Sequence, residues 1–172
     1  MRLSLKAKLT ALISLLVLLV ALAASTLYVS SLTRQTLEEV ESRAQYVANA
    51  TYNQARDALA QARLPAEIDP NDPEAVRIFV QATLAADRGL ATTMESAVGY
   101  TPAVYYVAVT DIERRVAVHT DPEVVRRPYQ PAPPFHNLVG ARLIHQLRVI
   151  YGPPRIYEVQ LPLDIGDRPL GD

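Results

Sequence analysis

The sequence predicts an α+β protein: an N-terminal transmembrane helix that continues into a long helix, followed by a domain built on an antiparallel β-sheet. Three observations predict it. Residues 9–33 contain no charged side chain. Behind them, apolar and small residues recur at helical spacing as far as Ala62. After Pro102 the period changes to that of strands, so helices come first and antiparallel strands follow.

The apolar run is the first element. Residues 12–24 are an almost continuous series of leucine, valine, isoleucine and alanine. About 20 helical residues cross a hydrocarbon core of ~30 Å, so the length suffices. Arg2, Lys6 and Lys8 lie before the run, whereas Arg34 and Arg43 behind it are diluted by Glu38, Glu39 and Glu41. The positive-inside rule then places Met1 in the cytoplasm. Ala21-Leu22-Ala23 resembles a signal-peptidase site, but the run is long for a signal sequence and the helical pattern continues past it. The expectation is an uncleaved anchor.

The second element is a stalk. Leu37, Val40, Ala44, Val47, Thr51, Ala55, Ala58 and Ala62 form one helical stripe, with Glu38, Glu41, Arg43, Gln54, Arg56 and Asp57 mostly off it. Near Thr51 a step of four replaces a step of three, which relaxes a left-handed supercoil. Two readings stay open, and both can hold along different parts of the helix: the stripe pairs with a second copy of the chain, or it packs on its own domain's sheet. Leu64-Pro65 ends the stalk. The chain thus divides into a cytoplasmic N-terminus (1–8), a transmembrane helix (9–31), a stalk helix (32–64) and an extracytoplasmic domain (65–172).

Within the domain, Asp72 reads as an N-cap, Pro73 as the first helical residue and Glu74 as first-turn charge. Val76, Phe79, Val80, Thr83 and Leu84 face inward, and Gly89 is the expected stop. Residues 104–110 read as a strand, 111–114 as a turn and 115–119 as its partner. A proline-dense stretch runs from Pro122 to Pro134. A short helix is expected over 141–147, a third strand over 147–151 and a fourth over 155–163, with Tyr157, Val159, Leu161 and Leu163 on its apolar face. A turn follows over 166–169, and one more strand is expected beyond Asp172, with a second membrane crossing after it.

Composition removes several function classes. A net charge of −1 excludes a basic nucleic-acid footprint. The absence of cysteine excludes disulfides and thiolate metal sites. There is no glycine-rich phosphate loop, paired-histidine zinc motif or serine-nucleophile elbow. Without a nucleophile–base pair or a metal set, an enzyme in this stretch is not expected, and no cofactor is implied.

Tyr106 to Asp111, the return strand to His119-Thr120-Asp121-Pro122, and the later stretch from Tyr157 to Leu170 together resemble a CACHE domain. These are PAS-like extracytoplasmic sensors of bacterial histidine kinases and related receptors, and the opening of a span followed by a long helix is similar to that family. The resemblance implies a central antiparallel sheet, with a small ligand held between the sheet and the loops over it. One subgroup binds dicarboxylates and citrate, and His119 matches its ligand-binding histidine. The two strand arginines of that subgroup fall on Val116 and Glu158 here, so the fixed positive donors a carboxylate needs are missing.

On this basis Tyr106, His119, Arg142 and Tyr157 are the candidate ligand-binding residues. Each has a plain structural alternative. His119 sits where a side chain caps Asp121-Pro122, the tyrosines suit a core, and Arg142, with Arg126 and Arg127, suits a solvated face. His119, Asp121, His136 and His145 match no known metal spacing, so no metal site is expected.

The resemblance implies the input region of a signal-transducing receptor in the bacterial inner membrane, most often a two-component sensor histidine kinase. Its partners are the lipid bilayer, a small molecule of unknown identity and a second copy of the chain through the stalk. The other class is a membrane-anchored envelope protein that acts structurally through its stalk.

Overall fold

The computed structural model describes residues 5–66, 68–69, 72–111, 113–124, 129–165 and 168–171, with backbone alone for 164–165 and 168–171. The first helix, α1, runs unbroken over Leu5–Gln61, about 85 Å at 1.5 Å per residue. Its N-terminal half packs on none of the described residues: Leu12, Ile13, Leu16 and Val20 are each more than half exposed. This segment is long and apolar enough to cross a membrane. The C-terminal half carries the stripe, and Leu37, Thr51, Ala55 and Ala58 on it are buried. The stripe packs on the chain's own domain, but mainly on two helices rather than on the sheet expected.

Two helices cover that half of α1. The first, α2, spans Pro73–Ala86, and the Asp72 carboxylate accepts from the Glu74 and Ala75 amides at 3.0 and 3.3 Å. The second, α3, spans Arg88–Tyr100. Gly89 does not end a helix as expected; it lies in the first turn of α3. Asp87 makes the junction. Its amide donates to Leu84 O at 3.3 Å, closing α2, and its carboxylate accepts from Leu90 N at 2.6 Å, opening α3. Leu84, Leu90 and Met94 are fully buried against Ala55 and Ala58 in one core, which the small α1 residues let α3 approach closely.

The strands are shorter than expected. The first, β1, spans Ala108–Thr110 and pairs antiparallel with β2, Val116–His119. The Asp111 carboxylate builds the turn by accepting from the Glu113 and Arg115 amides at 2.9 and 2.8 Å, and Arg114 takes a left-handed φ of 58°. A 3₁₀ turn follows at Pro122–Val124, then α4 at Phe135–Val139.

The third strand expected over 147–151 is a helix instead: α5 spans Leu143–Ile150. Gln146, buried on its inner side, donates through Nε2 to Leu138 O at 3.2 Å and Val139 O at 2.9 Å, satisfying the C-terminal carbonyls of α4. The β-branched run suggested a strand, but tertiary bonding overrides that preference. Gly152 follows because a Cβ there would lie 2.3 Å from Arg148 O.

The fourth strand expected over 155–163 is an extended segment with a single bridge, Glu158 to Pro134. A second antiparallel pair follows it, β3 at Leu163–Ile165 and β4 at Arg168–Gly171. The turn expected over 166–169 falls partly outside the described residues. The chain is therefore mostly helical, with two separate two-stranded antiparallel ladders among the described residues in place of one central sheet.

Candidate functional site

The extended segments 103–110 and 154–163 lie alongside α1 and leave a groove of about 510 Å³. One wall is α1 itself, through Val40, Ala44, Val47 and Thr51, successive turns of the stripe. α1 also contributes Tyr52, and the other walls carry aromatic rings, among them Tyr106, Tyr129, Phe135 and Tyr157. The volume falls within the usual range for a small-molecule site, and the apolar lining with few polar groups is the usual make-up.

The polar centre is Glu158, 8 % exposed. Its backbone is fixed first: Phe135 N donates to Glu158 O at 2.8 Å, and Glu158 N donates to Pro133 O at 3.0 Å. This pairing turns the side chain inward. The Tyr106 hydroxyl donates to its Oε1 at 2.7 Å, the Tyr129 hydroxyl donates to the same oxygen, and Gln160 Nε2 donates to Oε2 at 3.0 Å. Tyr129 is held in place by its amide, which donates to Arg114 O at 2.9 Å. The left-handed turn of the first hairpin thus positions the site.

Burial raises the Tyr106 phenol above its ordinary value; the bond with Tyr129 opposes this and the bond to Glu158 adds to it. Burial also raises Tyr129, and the bond to Glu158 reinforces it. Both hydroxyls keep their protons at neutral pH and stay donors. Among the described residues no cation pairs with Glu158, and the groove-lining Arg155 is exposed. On the α1 wall, Thr51 is 5 % exposed and its Oγ1 has no hydrogen-bond partner among the described residues.

Two of the four expected residues, Tyr106 and Tyr157, line the groove, and His119 lies outside its lining, against Tyr106. Tyr106 is half-buried and contributes its hydroxyl to the network. His119 stacks on its ring, with centroids 5.1 Å apart and 26° between planes. The same histidine accepts from Asp121 N through Nδ1 at 2.8 Å, which shapes the bend after β2. Tyr157 lines the groove and meets Phe135 edge-on at 6.1 Å. Arg142 lies elsewhere, exposed at the N-cap of α5, where its carbonyl accepts from the His145 and Gln146 amides. Arg126 and Arg127 lie outside the described residues. The described residues hold no cluster of three or more potential metal ligands.

Sequence reasoning missed Tyr129 and Glu158. Tyr129 lies in a proline-dense stretch without periodicity, which carries no signal of facing. Glu158 left one trace: it stands alone among Tyr157, Val159 and Leu161, where the resemblance placed an arginine.

No family model, no curated protein and no solved structure matches the chain.

Proposed function

We propose that the chain is the extracytoplasmic, ligand-sensing input region of a membrane-bound receptor of the PAS-like CACHE type, most akin to that of a two-component sensor histidine kinase. One observation carries the reading. The groove is walled by the same continuous helix whose N-terminal half is exposed and apolar, so a ligand in the groove touches the element that enters the membrane. The positive-inside rule puts Met1 in the cytoplasm of a bacterial cell. In the stalk, Arg34 pairs with Glu38 and Arg43 with Glu39, which offsets the positive charge on the far side of the span.

The stalk homodimer belongs to the same proposal. Val47, Thr51, Ala55 and Ala58 are covered by the chain's own domain, so pairing uses the opposite stripe of Ser42, Tyr46 and Asn49, on which Tyr46 is 75 % exposed.

The test is a binding screen on the full chain in lipid nanodiscs, with amines, amino acids and carboxylates. Thermal unfolding is followed by tyrosine fluorescence, since the chain has nine tyrosines and no tryptophan. The reading predicts a compound that raises the melting temperature saturably, and a Val47→Trp variant, which fills the groove, that loses the effect. A screen without any such compound, or a shift untouched by Val47→Trp, contradicts it.

A further inference from the structure

The sign of the ligand follows from what faces the groove. A buried carboxylate is costly unless opposite charge or strong donors compensate it. Glu158 has donors in Tyr106, Tyr129 and Gln160, all neutral, and no ion pair among the described residues. A carboxylate ligand would meet like charge here. The groove also presents aromatic rings, whose faces attract cations. A second and independent feature is Thr51 Oγ1, buried on the α1 wall with no partner among the described residues. An unpaired buried hydroxyl calls for a polar group supplied from the groove.

We propose that the groove binds a small organic ammonium ion bearing a hydroxyl or similar polar group. Glu158 is its counter-ion, held in place by Tyr106 and Tyr129. The tyrosine rings line the cationic end, and Thr51 hydrogen-bonds the polar end. Because Thr51 lies on α1, the bond couples occupancy to the membrane helix. The inference rests on the reading of the groove as a ligand site and names the class of that ligand.

The test compares two isosteres that differ in charge alone: choline and its neutral analogue 3,3-dimethylbutan-1-ol. Binding is read by saturation-transfer NMR on the full chain in phosphatidylcholine nanodiscs. Choline should bind saturably, and the neutral analogue about tenfold more weakly or worse, as expected for loss of a desolvated charge pair. Glu158→Gln, which keeps the acceptor oxygen, should weaken choline by a similar factor and leave the neutral analogue unchanged. Thr51→Val should weaken choline but not tetramethylammonium, which has no hydroxyl. The isostere comparison needs no variant, so it holds even where Glu158→Gln fails to fold. Equal binding of the two isosteres, or choline binding indifferent to Glu158→Gln, overturns the proposal. Saturable acetate or succinate binding that Val47→Trp abolishes, with no choline binding, overturns the cation but keeps the ligand site. Absence of binding by any of these probes overturns the cation proposal, while the wider screen above decides the receptor reading separately.

Discussion

The hydroxyl of Tyr106 donates to the carboxylate of Glu158 at 2.7 Å, joining positions 52 residues apart on the two extended segments that face α1. With Tyr129, this bond closes the domain across the groove. Replacing Glu158 by leucine leaves two half-buried hydroxyls without their acceptor. The expected loss is about 1–3 kcal/mol, the usual cost of orphaned buried polar groups. Chemical denaturation in nanodiscs measures it, and a variant as stable as the parent would show that the network contributes nothing.

Alkaline stability follows from the same bonds. Both phenols are raised in the folded state, so above pH ~10 the folded domain holds protons that the unfolded chain releases. Their contribution is complete below the ordinary phenol value and is lost as pH rises beyond it. Melting temperature should fall through that window. Tyr129→Phe should flatten the fall, and a slope identical in parent and variant would exclude these groups as its source.

Thr51→Val separates stability from binding. The swap keeps the β-branched shape and removes a buried hydroxyl that has no partner among the described residues. The apo protein should be equally stable or gain on the order of 1 kcal/mol, the desolvation cost no longer incurred. A loss larger than that would mean the hydroxyl is already bonded.

The core predicts a graded cost. Leu84 and Leu90 are 1 % and 0 % exposed and sit at the crossing of α2 and α3 with α1. Alanine at either should cost about 2–5 kcal/mol. Ile78, 55 % exposed on the outer face of α2, should tolerate alanine within ~0.5 kcal/mol. A similar penalty at all three positions would contradict the packing.

Much of this was legible before the structure, and the reasons are local. Asp72-Pro73-Glu74 carries its own capping chemistry, so the start of α2 is where the sequence puts it. The stripe from Leu37 to Ala58 announces a covered helix face through its spacing, though spacing alone does not say what covers it. The hairpin of β1 and β2 follows from β-branched alternation around Asp111. The failures are tertiary. Residues 147–151 look like a strand, and only the bond from Gln146 to the end of α4 shows why they continue a helix. Asp87 ends one helix and starts the next, a double role that only the fold assembles. The groove was half visible. Tyr106, His119 and Tyr157 stood out as aromatic groups near strand ends, whereas Glu158 looked like the solvent side of a strand that does not form.

The central claim is that occupancy of the groove acts on the helix entering the membrane. The chain has no cysteine, so Gln35→Cys places a single thiol on an exposed turn of α1 just past the apolar run. The decisive measurement is its labelling rate by a membrane-impermeant maleimide, with and without a saturating compound selected by the binding screen. The account predicts a change of about fivefold or more, the lower end of ordinary coupling between sites, which disappears in the Val47→Trp background. An unchanged rate at full occupancy of the groove would contradict it.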